Sequence, residues 1–93
     1  MNRTADTRYR RDARVLRALG SETRLLIVYR LAQGECCVCD LVELFDMEYS
    51  KLSYHLKKLK EADLVATDRD GNFVTYRPTE RGKEVIEIIR SLC

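Results

Sequence analysis

The apolar pattern of this chain changes from helical to alternating spacing near residue 64, and that change restricts the folds open to it. Before it, apolar residues recur at helical spacing; after it, two short alternating stretches flank Asp70-Gly71. Residues 8–19 read as a first helix through Tyr9, Ala13, Leu16 and Leu19, and Gly20 breaks it. Ser21 is a good cap for a second helix whose Leu25, Leu26, Val28, Tyr29 and Leu31 lead to Gly34. A short third helix is predicted over 38–45, with Leu41, Val42 and Leu44. After Asp46-Met47-Glu48, a fourth over 49–62 turns Leu52, Leu56 and Leu59 inward. Stretches 64–69 and 72–77 then read as a β-hairpin, with Asp-Gly marking a type I′ turn. Pro78 stops the second strand and Thr79 caps a last helix. Its Val85, Ile86, Ile88, Ile89 and Leu92 exceed what one small core needs, which predicts a homodimer seam shared with the first helix. Helices, a hairpin and a closing helix describe a mainly α, homodimeric winged helix-turn-helix.

At 93 residues the chain has room for one domain, taken as 1–93 with about the first seven residues flexible. Apolar runs are as short as Leu25-Leu26-Ile27-Val28, so no membrane span is expected. Met1-Asn2-Arg3-Thr4-Ala5-Asp6 lacks the apolar core of a secretory signal, and a cytoplasmic location is expected. Four cysteines without a leader then read as reduced thiols for metal or redox chemistry.

The net charge of +2 averages segments of opposite sign. Arg3, Arg8, Arg10, Arg11, Arg14 and Arg17 crowd the amino end, and Lys51, Lys57, Lys58 and Lys60 crowd the fourth helix. An acidic stretch, Glu35, Asp40, Glu43, Asp46 and Glu48, separates them. Helix-turn-helix proteins present the start of this helix to base edges in the major groove. Tyr49, Ser50, Lys51, Ser53 and Tyr54 are therefore the candidates for base contact in double-stranded operator DNA. Lys57, Lys58 and Lys60 are candidates for phosphate contact, and Arg69 and Arg77 for contact by the hairpin. A protein-interaction module that keeps this fold without reading DNA is the rival class.

Three cysteines fall within four residues, Cys36-Cys37-Val38-Cys39, just before the helix-turn-helix. The segments 18–25, Ala-Leu-Gly-Ser-Glu-Thr-Arg-Leu, 35–41, Glu-Cys-Cys-Val-Cys-Asp-Leu, and 50–59, Ser-Lys-Leu-Ser-Tyr-His-Leu-Lys-Lys-Leu, resemble the ArsR/SmtB family of winged-helix, metal- and metalloid-sensing repressors. The resemblance runs from about residue 13 to 77. It implies a homodimer that represses an operon until an inducer releases it, with Cys37 and Cys39 at the ligand positions of the family's E-L-C-V-C-D-L motif. Val42 stands where the arsenic-sensing version commonly has a third cysteine. With His55 the only histidine, the family's Asp/His site on the last helix has no counterpart. Glu48 replaces a small hydroxyl residue before the reading helix, and Asp63 replaces a usual glycine.

On a regular helix Cys37 and Cys39 point about 200 degrees apart, so one ion holding both is expected to unwind that turn. Cys36 and Cys39 are spaced to share a helical face. Soft thiolates suit As(III), Sb(III), Cd(II) or Pb(II) as inducer, and none is needed for folding. Cys36, Cys37 and Cys39 count to three ligands for a trivalent metalloid, and Cys93 offers another. Oxidation of neighbouring thiols is the alternative signal. No nucleophile and base pair, phosphate loop or carboxylate dyad supports catalysis.

Overall fold

A computed structural model describes the backbone of residues 3–92 and the side chains of residues 8–92. Helix α1 (Arg3–Leu19) begins five residues ahead of the expected start. Of the amino-terminal residues expected to be flexible, 3–7 continue this helix and 1–2 lie outside the described residues. Helix α2 (Glu22–Ala32) starts where predicted, because the Ser21 hydroxyl accepts the Arg24 amide at 3.3 Å. It lies at the centre of the fold, against α1 and the later elements, and buries Ile27, Val28 and Leu31.

Cys36 and Cys37 then form a short strand, β1 (Cys36–Cys37), that sequence reading did not anticipate. Helix α3 (Val38–Phe45) follows directly and ends at Asp46, whose left-handed backbone (φ 49°) is tolerated by a short acidic side chain. Helix α4 (Tyr49–Glu61) comes next, then strands β2 (Val65–Asp70) and β3 (Phe73–Pro78), and helix α5 (Glu80–Ser91). The three strands are antiparallel in the order β1-β3-β2, with Cys36 opposite Tyr76 and Cys37 opposite Thr75. The hairpin therefore has a third strand, and it is made of two of the cysteines.

Two details of the hairpin differ from expectation. Asp70 pairs with Phe73, so the central turn residues are Gly71 and Asn72. Only Gly71 has positive φ (63°), which is the type II′ pattern and not I′. Pro78 ends β3 inside the ladder opposite Val65, a strand-end position where its missing N–H is tolerable. Thr79 links hairpin to α5 as predicted: its hydroxyl accepts the Gly82 amide at 3.0 Å and donates to the Asp63 carbonyl at 2.6 Å. The second bond holds Asp63 in a left-handed conformation (φ 60°), which explains why glycine suits that position.

The core joins Ile27, Val28 and Leu31 of α2 to Leu41, to Leu52, Leu56 and Leu59 of α4, and to Leu64, Val65 and Ile86. Each such side chain contributes roughly 1.5–3 kcal/mol by burial. A separate apolar groove of about 780 Å³ runs between α1 and α5, lined by Val15, Leu16, Leu19, Val85, Ile88 and Leu92. Leu16 and Leu92 are 70% and 80% exposed there, the surplus that the sequence attributes to a dimer seam. Gly82 is the tightest backbone approach, since a Cβ at this position collides with the Leu64 carbonyl. Gly82→Ala is expected to lower unfolding free energy by about 1–3 kcal/mol in urea melts, as overpacking does.

Candidate nucleic-acid interface and thiol site

Helix α4 owes its orientation to one apolar stripe. With Leu52, Leu56 and Leu59 fully buried, Tyr49, Ser50, Lys51, Tyr54, Lys57, Lys58 and Lys60 stand exposed and Ser53 is half-buried. Exposed basic and hydroxyl groups on one helix face can donate to phosphates and base edges together. Lys58 sits over the Tyr54 ring at 5.5 Å and 3.8 Å from the Glu61 carboxylate. Lys60 leans the other way, donating to the Thr67 hydroxyl of β2 at 3.3 Å. On the hairpin, Arg69 is exposed, whereas Arg77 is bound to the Asp68 carboxylate at 2.7 Å. Arg77 is thus engaged across the ladder, on the strand next to Arg69.

The cysteines divide by backbone geometry. Successive strand residues face opposite sides, so Cys36 turns into the core (5% exposed) while Cys37 faces outward. Burial pushes the Cys36 thiol pKa up. Cys36 therefore shares no helical face with Cys39, contrary to expectation. Cys37 is the cap residue of α3 with extended backbone (φ −80°, ψ 160°), and Cys39 is the second helical residue. Because Cys37 lies outside the helix, the 200-degree divergence does not arise, and the two Sγ atoms meet at 2.9 Å without unwinding. The hydrogen bond with Cys39 raises the Cys37 pKa, a neutral thiol being its better partner. Asp40 adds a carboxylate, and ligand atoms of Cys37, Cys39 and Asp40 all lie within 4.8 Å of one another. Cys93 lies outside the described residues.

Residues 21–67 match the family model of bacterial regulatory proteins of the arsR family. The arsenical resistance operon repressor of Bacillus subtilis is 42% identical over 77 residues, covering 82% of this chain and 73% of the relative. The homodimeric winged helix-turn-helix DNA-binding domain of a possible ArsR-family regulator from Mycobacterium bovis superposes with a TM-score of 0.89 at 30% identity, covering 99% of this chain and 85% of that one. Reduced HlyU from Vibrio cholerae superposes with a TM-score of 0.82 at 27% identity over 98% and 97% of the two chains. This chain belongs to the ArsR/SmtB family. It is a winged helix-turn-helix, DNA-binding transcriptional repressor and not an enzyme. Among the described residues, no helix of this repressor is long and apolar enough to cross a membrane.

Sequence reading missed Asp40 as a neighbour of the thiols and Arg24 as a clamp behind the reading helix. The signal for Asp40 was its place one residue after Cys39, in the first turn of α3. Arg24 reaches from α2 to the end of α1, where its Nε donates to the Ala18 carbonyl at 2.6 Å and its Nη2 to the Arg17 carbonyl at 3.5 Å. Its Nη1 lies 3.2 Å from His55 Nδ1 on α4. A guanidinium only donates, so this contact requires Nδ1 to carry the lone pair. Burial, then the charges of Arg24 and Lys51, push the His55 pKa below its ordinary 6.5. The unfolded chain therefore takes up the proton more readily than the native one. This contribution to stability is complete above pH 6.5 and is lost as pH falls through the lowered native value. In urea melts at several pH values, His55→Gln is expected to flatten the acid-side loss of stability relative to the native chain; an unchanged pH slope would exclude His55 as its source.

Proposed function

We propose that the protein binds a pseudo-palindromic operator as a homodimer and leaves it when Cys37 and Cys39 take up a thiophilic ion. The observation that carries this reading is the 2.9 Å approach of the two thiols at the junction of β1 and α3. Thiolates select soft ions, and As(III), Sb(III), Cd(II) and Pb(II) are the inducers this donor set fits. For a divalent ion, the Asp40 carboxylate supplements the two thiolates. A trivalent metalloid takes a third thiolate, for which Cys93 is the candidate, because Cys36 faces the core.

The pair is well placed to act on DNA binding. Cys37 is paired with Thr75 in the ladder with β3, a strand of the wing, and Cys39 belongs to α3, which packs on α4. Spreading the two sulfurs around one ion moves elements that touch both the wing and the reading helix, so ion and operator compete for the backbone geometry. The apolar groove between α1 and α5 supplies the seam for a second copy, which sets the spacing of two reading helices. The same thiol contact favours one second reading, in which a peroxide takes an electron and a proton from each sulfur, leaving a disulfide and two waters.

The decisive experiment measures release from the DNA upstream of the protein's own gene, using As(III), Sb(III), Cd(II), Zn(II) and a peroxide. Cys37→Ser and Cys39→Ser are each expected to raise the ion concentration for release by at least about tenfold. Cys36→Ser is expected to keep release while costing about 1–3 kcal/mol of stability, since it buries a hydroxyl. Release by peroxide alone favours the redox reading, and release indifferent to Cys37→Ser and Cys39→Ser removes the pair from the mechanism. In a salt series without inducer, Lys57→Ala is expected to reduce the salt slope by about 1 per contact without changing sequence preference, whereas Lys51→Ala alters preference.

A further inference from the structure

On the side of α4 away from the hairpin, a cleft of about 590 Å³ opens between α1, α2 and α4. Four cations line it: Arg14 and Arg17 from α1, Arg24 from α2 and Lys58 from α4, with Tyr54 in the wall and Glu61 the one acidic residue. We propose that this cleft binds phosphates of the operator backbone, on the strand opposite the one that the hairpin approaches. The proposal rests on the DNA-binding reading and adds residues of α1 to it.

The placement follows from the helix itself. At about 100 degrees per residue, the buried stripe of α4 sets Tyr49 and Lys60 on the hairpin side, Ser50 and Lys57 outward, and Lys58 on the α1/α2 side. Tyr54 bridges the outward face and the cleft. A helix lying in the major groove runs between two phosphate backbones, so cations are useful on both of its flanks. Lys60 and Arg69 line the hairpin flank, and the cleft supplies the other.

Within the cleft, the cations differ in their freedom. Arg24 is fixed by the Ala18 and Arg17 carbonyls and by His55, so its guanidinium is held in place. Lys58 is shared with Glu61 at 3.8 Å. Arg14 and Arg17 are exposed and lie three apart on α1, hence on one face. That face points away from Leu16 and Leu19, so a second copy seated in the apolar groove leaves it open to DNA.

The test is a salt series on the full chain with the duplex upstream of its own gene and a random duplex of equal length. Arg14→Ala with Arg17→Ala is expected to lower the slope of log K against log salt by roughly 2–4 for the dimer, equally for both duplexes. Arg14→Lys with Arg17→Lys is expected to restore most of the slope, which separates charge from folding. An unchanged slope in the alanine variant, or a loss that lysine does not restore, overturns the proposal. Inorganic phosphate is titrated against the free protein at constant ionic strength. Phosphate binding lost in the alanine variant while the DNA slope is unchanged makes the cleft a free-anion site and also overturns it. Failure of the native chain to prefer its upstream duplex would sink the operator reading, whatever the slope shows.

Discussion

Burial of a single stripe, Leu52, Leu56 and Leu59, is the constraint on which the functional surfaces depend. These residues seat α4 against the central α2 and the core, and a helix fixed on one side has the directions of its other side chains fixed too. The outward face, the hairpin flank and the α1/α2 flank follow from that one choice. The Arg24 clamp reinforces it by tying the end of α1 to α4 through His55. A change that loosens the stripe therefore misplaces every proposed DNA contact of α4 together, whereas loss of an exposed lysine removes one contact and leaves the rest.

The second constraint is the short ladder between β1 and β3. Two residues of pairing add little stability, but they decide where the thiols go. Strand alternation sends Cys36 into the core and Cys37 outward, and the immediate start of α3 brings Cys39 back beside Cys37. Three cysteines within four residues thereby acquire different environments: one packs in the core and two bring their sulfurs together. The buried Cys36 anchors one end of the segment, so under the proposed induction a displacement at Cys37 and Cys39 would be passed on instead of being absorbed by a loose loop.

Much of this was legible in the sequence because the relevant signals are local. Ser21 and Thr79 cap the helices they precede, and the spacing of Leu52, Leu56 and Leu59 marks the buried face of α4. What was not legible depends on partners distant in the chain. Nothing in Cys36-Cys37 announces a strand, since its pairing is supplied by Thr75 and Tyr76. Assuming helix there gave the wrong mutual directions for all three thiols. The hairpin was found but its turn was misread, because the register Asp70 to Phe73 is set along the whole ladder and not by Asp-Gly alone. The Arg24 contact with His55 spans 31 positions and carries no local pattern.

The thiol geometry also bears on the proposed induction. Had both cysteines lain within a helix, an ion would have had to unwind a turn, a cost that lowers its affinity for the protein. With the sulfurs already at 2.9 Å, little of that cost remains, and under the proposed induction coupling to DNA would arise from the smaller movement that spreads the pair around an ion. An allosteric coupling of about 1–3 kcal/mol changes operator affinity roughly 5–150-fold, so a large rearrangement is not required. The movement needs only to disfavour the bound position of β1 or α3. Because β1 is paired to β3 and α3 packs on α4, such a displacement under the proposed induction would reach both the wing and the reading helix.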